Sequence, residues 1–205
     1  MNPQFVYRTE TEDDFDRVEF LTREAFWNVY QPGCEEHYIL HVLRGTPAVI
    51  PELNLVCETE GRIVGHIFYT RSRVLSDGGE VFPVITFGPI SVSPDMQGRG
   101  IGSALIRKTL ARAAETGFSG VVITGNPAYY GRFGFRPASD FGILYEDGSS
   151  FPALMALELT PGGLSGVRGR VSFDPAFTRI DPEELDRFDA QFPPKEKKKL
   201  PGQFR

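Results

Sequence analysis

Apolar positions recur at two periods along this chain, and the change of period divides it. Phe5-Val6-Tyr7 is a short strand candidate. Thr11 then offers a helix N-cap with Asp14 three positions on, the spacing at which the two residues can satisfy each other's backbone N–H groups. From there Phe15, Val18, Thr22, Ala25, Phe26 and Val29 repeat at helical spacing, which predicts an amphipathic helix over 12–29. Gln31-Pro32-Gly33 breaks it. A second helix is predicted from about Glu35 to Arg44, with Tyr38, Ile39 and Val42 as its apolar stripe.

The period then drops to two. Residues 53–58 and 62–70 flank Glu60-Gly61, a natural hairpin turn. Ser76-Asp77-Gly78-Gly79 marks a second turn and leads into a strand over 81–92. That strand carries Gly88-Pro89, and proline has no N–H for the ladder, so the strand is expected to bulge or splay there. A helix over 100–116, a buried strand over 120–124, a short helix over 128–133 and a strand over 151–159 follow. Beyond Thr160 a glycine-rich stretch precedes a further strand candidate over 167–173. Asp181-Pro182-Glu183-Glu184 then supplies an N-cap, a first-turn proline and an acidic N3. The expected organisation is one α/β domain over 1–160 and a C-terminal extension over 161–205 packed on or near its core.

Composition narrows the function classes. An apolar share of 40% in 205 residues supports a buried core, and no apolar run approaches the roughly 20 residues that span a bilayer. The start, MNPQFVYRTETEDD, lacks the basic-then-apolar order of a secretory signal, and Cys34 and Cys57 are too few for a disulfide framework. The expectation is a soluble, cytoplasmic protein with no membrane partner. Residues 1–60 carry twelve acids against four Arg, whereas residues 61–140 carry nine bases against five acids. No nucleic-acid partner is expected, because that needs a broad positive surface. The positive middle segment suits one compact polyanion such as a nucleotide cofactor; a solvated mixed-charge surface explains the same balance.

The segment Ile90-Ser-Val-Ser-Pro-Asp-Met-Gln-Gly-Arg-Gly-Ile-Gly-Ser103 runs from a strand through a glycine-rich turn into a helix. Glycines leave the backbone open to close approach, and the unpaired N–H groups of the helix's first turn, with its dipole, favour a phosphate. No lysine follows to make a Walker loop, and Ser103 stands where a dinucleotide fingerprint requires glycine. The spacing Gln97-Gly98-Arg99-Gly100-Ile101-Gly102 resembles the Q/R-x-x-G-x-G/A motif of the GNAT superfamily of acyl-CoA N-acyltransferases. Gly125-Asn-Pro-Ala-Tyr-Tyr-Gly-Arg-Phe-Gly-Phe135 resembles that family's N-x-x-A-x-x-x-Y-x-x-x-G-F region, with a shorter interval between Asn126 and the tyrosine, Tyr130. Together with the Gly-Cys-Glu-Glu-His stretch, the second segment is similar to the YhbS-like subgroup.

The resemblance implies a mixed, splayed central β-sheet flanked by helices, and acetyl-CoA as co-substrate with no metal. Ile90, Ser91 and Val92 match the strand whose backbone pairs with the pantetheine arm and supplies an N–H that polarises the thioester carbonyl. Gln97, Gly98, Arg99, Gly100, Ile101, Gly102 and Ser103 match the pyrophosphate site. Tyr130 matches the general acid that protonates departing CoA thiolate, with packing against Tyr129, Phe133 and Phe135 as its alternative role. Phe133 is counted with the cofactor-binding residues, and Asn126 either bonds the pantetheine or ends its strand. The implied reaction is direct attack of a primary amine, on a small molecule or a lysine, without an acyl-enzyme; the acidic first third favours a cationic acceptor. A homodimer is compatible with the reading. The rival from another class is an acyl-CoA-binding regulator without transfer activity.

Two questions stay open in the sequence. Val84-Ile85-Thr86-Phe87-Gly88 has no carboxylate to serve as general base, so a water chain, Glu24 or His66 would have to substitute. Cys34, His37 and His41 fall on one helical stripe, but zinc would need a fourth ligand that is not visible nearby. They read instead as the polar side of the second helix, lining the acceptor pocket, and Lys195–Lys199 reads as a solvated tail.

Overall fold

The computed structural model describes residues 4–203. The elements are β1 (Val6–Thr9), α1 (Phe15–Phe26), α2 (Glu36–Arg44), β2 (Leu55–Thr59), β3 (Arg62–Leu75), β4 (Val81–Val92), α3 (Ile101–Glu115), β5 (Gly120–Thr124), α4 (Pro127–Tyr130), β6 (Arg136–Pro137), β7 (Ile143–Leu144), β8 (Leu154–Glu158), β9 (Gly169–Ser172) and α5 (Pro182–Asp189). The mixed sheet has the order β1-β2-β3-β4-β5-β8-β6, with β9 beside β3 and β7 beside β9. The chain forms two compact units. One takes residues up to Phe68, Pro89–Ile106 and the chain from Pro175 onward; the other takes Tyr69–Gly88 and Arg107–Asp174.

In the first unit β1 and β2 pair antiparallel, as do β2 and β3, whose hairpin turns on Glu60 and Gly61 with φ of 51° and 75°. Val56, Ile63 and Phe68 of these strands pack against Val18 and Leu21 of α1 and Leu40 and Leu43 of α2. The entry to α1 is a 3-10 turn over Glu12–Asp14, where the buried Asp14 carboxylate accepts from the Thr11 N–H at 2.9 Å and from its hydroxyl at 3.0 Å. Arg8 at 2.6 and 2.8 Å and Arg17 at 2.5 Å complete the shell, and the Arg8 bonds hold that carboxyl well below its ordinary range.

Several sequence expectations shift here. The helix expected to reach residue 29 stops at Phe26, because Trp27 turns to ψ 120° and Asn28 takes φ 60°. Asparagine tolerates that left-handed conformation, and its Oδ1 accepts from the Gly33 N–H at 2.8 Å to close the loop. Val29 is thereby left exposed. On α2 the buried positions are His37, Tyr38, Leu40 and Leu43, a stripe rotated from Tyr38, Ile39 and Val42.

The reading of Cys34, His37 and His41 as one polar face is overturned. Cys34 precedes the helix and is buried, His37 is fully buried, and only His41 is exposed. His37 faces the C-terminal segment, packed against Phe188 and Phe192, with Nε2 3.0 Å from Asp189 Oδ1 though not aligned for a hydrogen bond. Asp189 takes Arg23 Nε and Nη2 at 2.6 and 3.1 Å, and Arg23 also reaches the Pro193 carbonyl. Helix α5 begins as its sequence predicts, with Asp181 accepting from the Glu183 and Glu184 N–H groups. The lysine run beyond it is exposed but not detached. Trp27 and Asn28 both donate to the Glu196 carbonyl, and the Lys198 N–H returns to Asn28 Oδ1.

In the second unit β5 pairs along its whole length with β8. Val74, Val84, Val122, Leu154, Ala156 and Val171 form its core with Leu164. Strand β8 starts at Leu154 rather than 151, since Phe151–Leu154 closes a turn, and β9 is confined to Gly169–Ser172.

Burial sets two protonation equilibria of α2 against each other. It pushes His37 down to about 4, with Arg23 adding to the shift and Asp189 opposing it, and it pushes Glu36 up to about 7. His37 therefore binds its proton more readily unfolded and loses stability as pH falls through 6.5. Glu36 binds its proton more readily folded and loses stability as pH rises toward 7. Between pH 7 and 5 the melting temperature of a Glu36→Gln variant should fall with acidification and that of a His37→Gln variant should rise. Parallel thermal-melt profiles for the two variants would refute these assignments.

Candidate functional site

The end of β4 and the turn after it lie in the first unit. Side chains alternate across the strand. Ser91 is buried and its hydroxyl meets the Thr22 hydroxyl of α1 at 3.1 Å, while Ile90 and Val92 on either side are half-buried. The Ser93 N–H donates to the Val64 carbonyl at 2.9 Å, which holds the strand end to β3. A 3-10 turn over Pro94–Met96 follows, and Gln97 Nε2 donates back to the Val92 carbonyl at 3.2 Å.

Gly98 and Gly100 have φ of 74° and 81°, and a Cβ at either would point into open space. Backbone conformation, not crowding, requires glycine at both positions. The first bond within α3 runs from the Ala104 N–H to the Gly100 carbonyl at 2.9 Å, so the N–H groups of residues 100–103 have no acceptor within the helix. Ile101 anchors the turn in the core, whereas Gln97 to Gly100 are exposed, Arg99 among them. Asp95 is the acid of this turn, and Arg62 at 2.6 Å and the Ser93 hydroxyl both answer its charge. The result is a cradle, an exposed glycine-rich turn that leads into helix N–H groups without intrahelical acceptors, which is what an anionic phosphate requires.

Asn126, Tyr130 and Phe133 lie in the second unit. There β4 and β5 are paired in register only at Ile85 and Val121, so the parallel ladder is barely begun before β4 reaches Gly88-Pro89. Asn126 caps α4, its Oδ1 accepting from the Ala128 N–H at 3.0 Å. The half-buried Tyr130 ring lies 5.8 Å from Phe87, 5.9 Å from Phe135 and 5.0 Å from Tyr129. A Cβ on Gly125 would fall 2.3 Å from Tyr130 Cε2, so the missing side chain at 125 makes the space the ring occupies. Tyr129 carries the Arg132 guanidinium on its face at 3.9 Å, and Phe133 has Arg107 5.2 Å away. The other phenol beside Phe87, Tyr69, is fully buried, bonded to Thr109 at 2.9 Å and pushed upward by burial, which makes it a poor proton donor to a ligand.

The candidates for a base fare differently. His66 is fully buried with Nε2 3.3 Å from Glu10 Oε1, so it has no access to a substrate amine. Both oxygens of Glu24 accept from Lys195 Nζ, at 2.9 and 3.0 Å. Among the described residues no group of three or more His, Cys, Asp or Glu is placed to hold a metal ion. Sequence reasoning missed Thr22, counted there as part of an apolar stripe. Its hydroxyl is the link between α1 and the strand, and the inward parity of Ser91 between Ile90 and Val92 was the signal.

Residues 6–138 match the family described as Acetyltransferase (GNAT) domain. The chain belongs to this GNAT acetyltransferase family. Over 176 residues it is 27% identical to the uncharacterised N-acetyltransferase YhbS of Escherichia coli strain K12, covering 85% of this chain and 99% of that protein. Among solved structures, a GNAT family acetyltransferase from Brucella melitensis in complex with acetyl-CoA is similar at a TM-score of 0.69 and 30% identity, over 85% of this chain and 98% of that one. E. coli YhbS in complex with CoA shares the fold at a TM-score of 0.77 and 24% identity, over 88% of this chain and 96% of that one. The mixed sheet flanked by helices is thus the GNAT architecture.

Gly100→Asp would put a carboxylate into the cradle and a side chain on a left-handed backbone. Calorimetry should show CoA affinity reduced by about tenfold or more. Unchanged affinity in a folded variant would remove the cradle from the site.

Proposed function

We propose that this protein transfers the acetyl group of acetyl-CoA to a primary amine by direct attack, and that residues 97–103 hold the pyrophosphate. The cradle carries the reading: the N–H groups of residues 100–103 at the start of α3 lack intrahelical acceptors, and the two obligatory glycines keep positions 98 and 100 free of side chains. The acetyl-CoA complex of the Brucella relative supports the choice of co-substrate. Ile90, Ser91 and Val92 would meet the pantetheine through backbone groups, since the Ser91 side chain is already committed to Thr22. An N–H in this strand would polarise the thioester carbonyl as negative charge develops on its oxygen. The acceptor nitrogen, once its ammonium has lost a proton to water, bonds to the acetyl carbon, the carbon–sulfur bond breaks and CoA leaves as thiolate, and the nitrogen gives a second proton to water to become the amide.

Tyr130 would protonate that thiolate, giving free CoA and the amide. The acceptor would be a small-molecule amine or a lysine. The −8 balance of residues 1–60 lends a cationic acceptor little support. Arg44 answers Glu10 and Glu19, Arg8 answers Asp14 and Glu58, and Lys195 answers Glu24. Asn126 contributes through the α4 cap it makes, and Phe133 through the apolar surface it shares with Arg107.

A free-thiol assay over a library of primary amines tests the reaction. Acetyl-CoA binding with no thiol release for any amine would favour the regulatory-binding alternative. Tyr130→Phe should lower kcat by about 10²-fold or more while acetyl-CoA affinity stays within about twofold. Gly125→Ala, which drives a methyl into the Tyr130 ring, should lower kcat in the same direction. A kcat within a factor of about two of the parent for Tyr130→Phe, where chemistry limits the rate, would return the residue to its aromatic cluster.

A further inference from the structure

The C-terminal end of α1 and the Trp27 that follows it present a carboxylate and an aromatic face around a single ammonium group. Lys195 Nζ donates to both oxygens of Glu24, at 2.9 and 3.0 Å, and lies 5.6 Å from the centre of the Trp27 ring, whose indole also stacks with Arg23 at 4.1 Å. A carboxylate fork beside an aromatic ring is the chemistry that recognises an alkylammonium ion. Here the ion belongs to the chain's own C-terminal extension.

Glu24 also lines a cavity of about 440 Å³ in the first unit, a size suited to a small molecule. Phe20, Leu21 and Ile63 supply its apolar lining, Asp16, Arg17 and Arg62 line it as well, and Ser93 opens onto it, while Trp27 and Lys195 stand outside this lining, beside Glu24. Ser93 directly follows the strand residues assigned to the pantetheine. One helical turn of α1 therefore carries Glu24 at the cavity and Thr22 bonded to Ser91 of that strand.

We infer that Glu24 and Trp27 form an ammonium-recognition site at the edge of this cavity, which binds the acceptor, and that Lys195 occupies it as an internal stand-in for substrate. This rests on the acetyltransferase reading above. The acceptor class it names is a primary amine on an apolar body, with the ammonium at Glu24 and Trp27 and the body against Phe20, Leu21 and Ile63. An acceptor must displace Lys195, so the extension lowers apparent amine affinity by the fraction of time the site is self-occupied. The displaced segment does not need to detach, because Glu196 remains bonded to Trp27 and Asn28, and Asp189 to Arg23.

Trp27 is the sole tryptophan, so its fluorescence reports on the site directly. The test titrates the parent, Lys195→Met and the double variant Lys195→Met/Glu24→Gln with phenethylamine and, as uncharged control, 2-phenylethanol. Removing the stand-in should tighten phenethylamine binding by about fivefold or more, with 2-phenylethanol changed by less than about twofold, and the double variant should lose the gain. Equal phenethylamine affinity in parent and Lys195→Met would make Lys195 a mere tether and overturn the inference. Equal gains for amine and alcohol would overturn charge recognition. Acetyl-CoA calorimetry on the same three proteins separates the two levels. Loss of acetyl-CoA binding in all three, with the amine effect intact, would defeat the transferase reading and leave the ammonium site standing.

Discussion

Burying the Arg23 guanidinium, which keeps 1% of its side chain exposed, creates a demand for a carboxylate that α1 and α2 do not meet. Asp189 meets it from 166 positions away. A buried cation without its partner costs several kcal/mol, far more than an exposed ion pair contributes. The pair therefore determines where the C-terminal segment lies in the first unit. Phe188 and Phe192 then pack on His37, the backbone after Pro193 reaches the Trp27–Gly33 loop, and Lys195 arrives at Glu24. Burial tends to raise the Asp189 carboxyl, yet the Arg23 bonds and charge, with His37 beside it, keep it below its ordinary value.

The same economy governs the acidic surplus of the first third. Glu10 and Glu19, both nearly buried, converge on Arg44, whose guanidinium also lies 3.9 Å over the Phe15 ring. Such networks fix how α1 lies along α2 rather than adding much net stability, since desolvation offsets most of the attraction. A net charge counted along sequence says little about the field at a pocket when its members neutralise one another inside the fold.

The fold was largely legible because its signals are local. The Val81–Val92 and Gly120–Thr124 strands, the Glu60-Gly61 turn and the Asp181 cap each depend on residues within a few positions of each other. The cradle was legible for the same reason, since Gly98 and Gly100 are demanded by their own dihedral angles. What could not be read were partnerships closed over long separations. Nothing near His37 in sequence indicates that α5 would cover it, and nothing near Glu24 points to Lys195. The early end of α1 at Phe26 likewise depends on Asn28, whose left-handed conformation is held by Gly33 and by the distant Lys198 N–H.

The way the first unit is drawn from both ends of the chain has a consequence for its synthesis. Its segments run up to Phe68 and resume for good only at Pro175, whereas every residue of the second unit has emerged by Asp174. Asp189 follows Arg23 by 166 positions, so during synthesis α1 waits for it through most of the chain. Contacts of such long sequence separation come at a high loop-closure cost and form late. Until they form, the apolar surface that Phe188 and Phe192 cover stays open to water and to other chains, so the interval between translation and completion of this unit is when the protein is most prone to aggregate.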